Sequence, residues 1–454
     1  MLVRVSPTKQ SVETVSNGVS KREERRLIRV ARVIDRLNIG GPAKHVVWLS
    51  AGLDSKQFES LLITGTVPPG EGDMSYFAND HHVNTVLISE MSRELSPRDI
   101  LVIAKLLLRF LRFKPQIIHT HKAKAGAAGR IAGMLYRWLT PSALLLRPRD
   151  CRIVHTYHGH VFHSYYGHLK TRLFILIERA LAWLCTDQII VISEQQRREI
   201  CESFRIGRPE QFRVIPLGID FEEVTDGRAQ ARKDCGVTDD QVAIGIVGRL
   251  CEVKNHEMLL DSTAQLLRLR NEYEARIRLL IIGDGHLRES LETKVDSLGL
   301  QEKTVFTGFR EDATSLYAGL DIVALTSLNE GTPLTLIEAM CCGRAVAATE
   351  VGGVVDVMGV RRETIDEFTV WDHGITAPSR DVDAFARGLQ FLVEHPDLRR
   401  EMGERGRAFV KSRLSRSRLL SDIEALYRDL LEVETQALAP AGQVVSFNGK
   451  GNGL

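Results

Sequence analysis

The chain lacks the marks of several protein classes. Seven cysteines in 454 residues form an odd set with no C-x-x-C spacing, so neither a disulfide framework nor a zinc ribbon is expected. Aromatic residues reach only 6%, and without zinc-finger spacing or a basic–aromatic platform nucleic acid is not an expected partner. No run reaches the ~18 apolar residues that span a bilayer. The longest candidate, residues 173–192, is broken by Glu178, Arg179 and Asp187. The leading residues, with Lys21-Arg22-Glu23-Glu24-Arg25-Arg26, have no apolar secretory core. A cytoplasmic protein follows as the expectation, with any membrane contact peripheral. What remains, 44% apolar and 26% charged residues, is ordinary globular composition with room for two or three domains.

The net charge of +2 hides a split. Residues 1–216 carry 32 Lys/Arg against 19 Asp/Glu, and residues 217–454 carry 28 against 39, so +13 faces −11. A basic half implies an anionic counterpart such as a membrane surface or a phosphorylated acceptor. Short apolar strands alternate with helical segments from Leu27 to Ser193 and again from Val242 to Ala348, which predicts two parallel sheets, each with helices on both faces. The expected organisation is a disordered leader (1–26), a first Rossmann-like domain (27–216), a second (217–410), a final helix (411–436) and a flexible tail (437–454). Residues 381–410 read as one helix and 137–152 as an insertion.

Two motifs carry chemistry. Asn329-Glu330-Gly331-Thr332-Pro333-Leu334-Thr335-Leu336-Ile337-Glu338 follows an apolar strand. Pro333 suits the first turn of a helix, and N–H groups at such a start attract anions. Glu330 and Glu338 can then share a cleft at the carboxyl end of the sheet and accept hydrogen bonds from sugar or ribose hydroxyls. One acidic residue at a helix start is explained by the helix dipole alone; the whole segment is not. The second motif, Gly248-Arg249-Leu250-Cys251-Glu252-Val253-Lys254, follows the strand Val242–Val247. Its guanidinium and ammonium can clamp a diphosphate, although an isolated R-x4-K would be two solvated cations.

Together with Gly40-Gly41, His158, Val214-Ile215-Pro216-Leu217-Gly218, Gly283-Asp284-Gly285, Phe306-Thr307-Gly308-Phe309 and Gly352-Gly353, these motifs resemble the retaining glycosyltransferases of family 4, across residues 30–430. The resemblance implies the GT-B fold: two Rossmann-like α/β domains facing across a cleft, the last helix crossing back to the first. It implies a nucleotide-diphosphate sugar as donor, UDP by family frequency, and a saccharide or lipid-linked acceptor on the first domain. The nucleotide sugar is a substrate, and no cofactor or metal is implied. Arg249 and Lys254 would hold the diphosphate, and Glu338 the ribose. Glu330 would hold the sugar, helped by backbone amides from Gly331 through Thr332 to Leu334, with Pro333 having no N–H to give. Gly308 and Phe309 would meet the base. Gly40 and Gly41 would form the loop where donor phosphate and acceptor meet, and His158 would stand at the reacting centre. Front-face transfer with retention is likewise an implication of the family, as is a place in cell-surface polysaccharide or lipid-linked oligosaccharide assembly.

Other signals have plainer readings. His155-x-x-His158-x-His160-x-x-His163 has zinc-like spacing, but it straddles a strand end and lacks a clear fourth-ligand pattern. His155 is expected in the strand, and His160 and His163 are assigned to the acceptor cleft. Asp381-Val382-Asp383 matches a D-x-D metal motif, yet its place at a helix start reads as a cap. Leu101–Lys114 is basic and amphipathic; it packs on the sheet, lies on anionic lipid, or both. Two rivals stay open: an epimerase of sugar nucleotides on the same architecture, which would need no acceptor, and a catalytically silent nucleotide-sugar-binding subunit, against which the two cations and two glutamates argue.

Overall fold

The structure is a computed structural model that describes residues 27–68, 72–91, 97–159, 168–220, 227–270, 272–310 and 313–437. The expected leader 1–26, nearly all of the expected tail, and the acceptor candidates His160 and His163 lie outside the described residues.

The first sheet holds β1 (Ile28–Arg36), β2 (Phe58–Gly65), β3 (Thr85–Leu87), β4 (Ile117–His121), β5 (Arg152–Thr156), β6 (Gln188–Val191) and β7 (Phe212–Val214), in the order β3-β2-β1-β4-β5-β6-β7. Every pairing is parallel. β1 and β4 are buried along almost their whole length, as strands covered on both faces must be. The second sheet holds β8 (Val242–Val247), β9 (Ile277–Ile282), β10 (Thr304–Gly308), β11 (Ile322–Leu325), β12 (Ala345–Thr349), β13 (Arg361–Ile365), β14 (Phe368–Trp371) and β15 (Gly374–Ala377), in the order β10-β9-β8-β11-β12-β15-β14-β13. It is parallel except for the antiparallel pairs β13–β14 and β14–β15. That ribbon escaped the sequence pattern, which expects a helix between parallel strands.

The helices that matter below are α1 (Gly41–Gly52), α2 (Asp99–Phe113), α3 (Ala123–Trp138), α4 (His168–Cys185), α5 (Leu334–Cys341), α6 (Val382–Glu394), α7 (Pro396–Arg413) and α8 (Arg416–Ala437). The single helix expected over 381–410 is two, broken at His395, because Pro396 has no N–H to continue the ladder. Asp381 caps α6, accepting from Ala384 N–H at 2.9 Å, so this carboxylate serves the helix.

The chain enters the second domain at Ile219 and returns past it. Ile219 N–H donates to Leu414 O, and Arg416 N–H donates to Ile219 O, both at 2.9 Å. Arg416 pairs with Asp220 at 2.5 Å. α8 then lies on the first sheet, its Leu419, Ile423, Leu426 and Tyr427 packed with Val30, Leu49, Phe58, Ile117 and Val154. Two Rossmann-like domains with a helix crossing back are the architecture that the resemblance implies.

Candidate active site

The singled-out residues of the second domain lie at the carboxyl ends of its strands: Gly248 and Arg249 after β8, Gly308 ending β10, Glu330 beyond β11. Ligands of open α/β sheets bind at these ends. The loops after β8 and β11 are laced together. Leu328 N–H donates to Val253 O at 2.8 Å, and the Thr326 hydroxyl donates to Asn255 O at 2.9 Å. The lacing brings Lys254 Nζ to Glu330 Oε1 at 2.5 Å, and the Ser327 hydroxyl donates to the same oxygen at 2.6 Å.

Pro333 stands just before α5 in an extended conformation, not within its first turn as expected, and its carbonyl accepts from Leu336 and Ile337. Leu334 and Thr335 open the helix, so their N–H groups have no intrahelical acceptor. One turn further, Glu338 Oε2 accepts from Tyr317 OH at 2.9 Å. Its Oε1 accepts from Lys44 Nζ at 3.1 Å, across the cleft from α1. Burial and the adjacent Glu338 push the Tyr317 phenol well above its ordinary range, so it stays a donor.

The domains meet at glycines. Gly40, at φ 150°, sits where only glycine is comfortable and opens α1. A Cβ on Gly331 would stand 2.8 Å from Gly159 Cα and 3.1 Å from His158 O. On the other flank a Cβ on Gly41 would overlap Leu334. The Glu330–Glu338 segment therefore faces the Gly40–Gly41 loop and His158.

Around His158 is a nest of imidazoles. His158 Nε2 lies 2.9 Å from His121 Nδ1, and its ring stands edge-on to His45 at 4.9 Å between centroids. His119, two residues before His121 on β4, bonds Tyr427 OH and Thr156 Oγ1, both at 2.6 Å. His155 is buried in β5 as expected; its Nδ1 lies 2.9 Å from Thr120 Oγ1. Burial lowers His119, His121, His155 and His158 well below the usual imidazole range, and His45 to about 3. The nest is neutral at pH 7. One coordinating nitrogen each from His45, His121 and His158 lie within 4.8 Å of one another, a donor set suited to a divalent transition metal.

Sequence reading did not name Lys44, His45, His121, Ser327 or Tyr317 for this site. Lys44 and His45 stand three and four residues past Gly41, on the helical spacing that shares its face, which was a usable signal. Tyr317 had none. Arg249 is exposed and meets no carboxylate among the described residues, so the structure does not join it to the Lys254–Glu330 pair. Phe309, 47% exposed, follows Gly308 at the end of β10, beside the bridge from Gly283 N–H to Gly308 O.

Known proteins match this arrangement. Residues 39–223 match the family model described as Glycosyltransferase Family 4, and residues 227–409 match that described as Glycosyl transferases group 1. The chain is 26% identical over 306 residues to a UDP-Gal:alpha-D-GlcNAc-diphosphoundecaprenol alpha-1,3-galactosyltransferase of Escherichia coli, covering 66% of this chain and 74% of that one. It is 29% identical over 268 residues to a D-inositol 3-phosphate glycosyltransferase of Corynebacterium jeikeium, which spans 56% of this chain but only 58% of the relative. The crystal structure of HepE from Anabaena in complex with UDP superposes with a TM-score of 0.68 at 19% identity, covering 89% of this chain and all of HepE; this likeness concerns the fold. With both domains matched in order and the GT-B architecture in place, the chain belongs to the family 4, group 1 glycosyltransferases.

Proposed function

We propose that this protein is a retaining, metal-independent glycosyltransferase. It moves a sugar from a nucleoside diphosphate sugar, UDP first among them, to a saccharide or lipid-linked acceptor in cell-surface polysaccharide assembly. One observation carries the reading: the Glu330–Glu338 helix start faces the Gly40–Gly41 loop and His158 across the cleft, with Lys254 on Glu330 and Lys44 on Glu338. The E. coli relative, whose name specifies a UDP-sugar and a diphosphoundecaprenol-linked acceptor, supports the donor and the lipid-linked alternative.

In the reaction, the bond from sugar C1 to the leaving phosphate oxygen breaks. The acceptor oxygen bonds C1 on the same face, and its proton passes to the departing phosphate. Lys254, the exposed Arg249 side chain and the α5 N–H groups stabilise the charge growing on the diphosphate. Glu330 holds the sugar hydroxyls. Glu338 takes the ribose diol in place of Lys44, while Tyr317 keeps its other oxygen fixed. His158, being neutral, can donate or accept one hydrogen bond without adding charge at the reacting centre.

The test is a panel of UDP-, GDP- and ADP-sugars with saccharide and polyprenyl-diphosphate acceptors. Nucleotide release and the anomeric configuration of the product are read out. Release that requires acceptor supports transfer, whereas sugar-nucleotide interconversion without acceptor identifies an epimerase. Lys254→Ala and Glu330→Ala should each lower turnover about a hundredfold or more in a folded protein. Unchanged turnover on chelation supports metal independence; loss that Zn2+ restores would give the His45–His121–His158 trio a metal.

A further inference from the structure

The two faces of the first sheet are covered differently. α1 and α8 pack on one; α2, α3 and α4 form a layer on the other. The inner side of that layer is conventional, with Val102, Leu106 and Phe110 of α2 buried. Its outer side is not. Ile100, Leu101 and Leu108 of α2 are exposed, as are Leu173, Leu176 and Trp183 of α4. Between them Trp138 and Leu139 end α3, and the following turn leaves Leu145 and Leu146 74% and 81% exposed. Solvent-facing leucine and tryptophan concentrated on one layer mark a binding surface.

The charge says what binds. Residues 98–187 carry 15 Lys/Arg against 4 Asp/Glu, a balance of +11 that is most of the +13 carried by residues 1–216. Some cations are taken: Lys105 by Glu90, Lys124 by Asp99, Arg130 by Glu178, Arg137 by Asp187. Arg109, Arg112, Lys114, Arg147 and Arg172 are exposed and meet no carboxylate among the described residues. A second copy of the chain would set this surplus against itself, and like charges facing each other oppose association. Apolar side chains flanked by free cations fit an anionic lipid surface, the indoles and leucines entering the acyl boundary and the guanidiniums meeting phosphate. No described helix is long and apolar enough to cross a membrane.

We infer that the outer face of α2, α3, α4 and the turn at residues 141–146 docks on an anionic membrane surface. The inference deepens the lipid-linked acceptor of the proposed function. α2 and α4 begin at the cleft end of the strands, so a docked face would bring the cleft down to the lipid where such an acceptor resides.

The test needs no sugar, so its failure leaves the transferase reading standing. The full chain is mixed with vesicles of phosphatidylcholine containing about one-quarter phosphatidylglycerol, and with phosphatidylcholine alone. Cosedimentation is expected with the first and not the second, with a blue shift of tryptophan emission. Only Trp138 and Trp183 can give that shift, because Trp48 and Trp371 are buried. The double change Arg109→Glu with Arg112→Glu, and separately Trp183→Ser with Leu176→Ser, should each weaken partitioning at least about tenfold. All four side chains are exposed, so melting temperature should hold, as should transfer to a water-soluble acceptor. Absence of binding to anionic vesicles, equal binding to neutral ones, or full binding by both variants overturns the inference. So does a dimer in light scattering that Trp183→Ser dissolves.

Discussion

Acid should loosen the first domain well before any carboxylate titrates. His45 is buried with neither ring nitrogen hydrogen-bonded, and desolvation, aided by nearby Arg32 and Arg418, lowers it from 6.5 to about 3. Above pH 7 both folded and unfolded His45 are neutral, and the residue contributes no pH dependence. As pH falls below 6.5 the unfolded chain takes up a proton that the folded one refuses, so stability is lost progressively from pH 6.5 down to the folded value near 3. One pKa unit is worth about 1.4 kcal/mol, so pH 5 costs about 2 kcal/mol through His45 alone. His119, His121, His155 and His158 are lowered too and act with the same sign. Asp321 and Asp372 are also depressed, but from 3.8, so their stabilisation is lost only below about pH 4, under the pH 7–5 range that isolates the histidines. The assay is urea unfolding at pH 7, 6 and 5. Emission of Trp48, in the first domain, is separated from that of Trp371 by Trp371→Phe. The midpoint should fall steadily with pH. His45→Phe, which replaces unpartnered nitrogens with a ring of similar shape, should keep stability at pH 7 and recover about 2 kcal/mol at pH 5. A flat midpoint between pH 7 and 5, or a His45→Phe profile parallel to the parent, would refute the reasoning.

Three further outcomes follow from the packing. Gly331→Ala puts a methyl 2.8 Å from Gly159 Cα across the cleft; it should prop the domains apart and lower transfer about a hundredfold without changing the melting temperature. Glu178→Ala strands Arg130, which holds both carboxylate oxygens at 2.7 Å in the core. Thermal or urea unfolding should show a loss of about 3–5 kcal/mol. Tyr427→Phe takes the 2.6 Å partner from His119 Nδ1 and loosens α8 from the sheet. A loss of about 1–3 kcal/mol is expected, together with faster amide exchange along residues 416–431.

The parts legible without coordinates were those with a local cause. β8 and β9 are almost wholly apolar because both faces of a parallel sheet are covered, and β1, β4 and β5 carry shorter apolar stretches interrupted by polar residues; all five stand where those stretches are. The Glu330–Glu338 segment declares itself because a helix start after a strand has a local composition. The same reasoning failed where order along the chain misleads. β13 to β15 turn antiparallel, and α6 and α7 part at a proline inside an unbroken helical pattern.

Other features have no local cause. Lys254 meets Glu330 across 76 positions and Lys44 meets Glu338 across 294; His119 is bound to Tyr427 by a helix that has visited the second domain and returned. Residue type and periodicity determine which face of an element must be hidden, since that is a matter of nearest neighbours and water. Which hidden faces meet depends on closing loops of very different length into one packing. Hence sequence could single out the Glu330–Glu338 and Arg249–Lys254 segments, while the imidazole nest, the glycine contacts between domains and the apolar, basic layer on the first domain emerged only when the chain was folded.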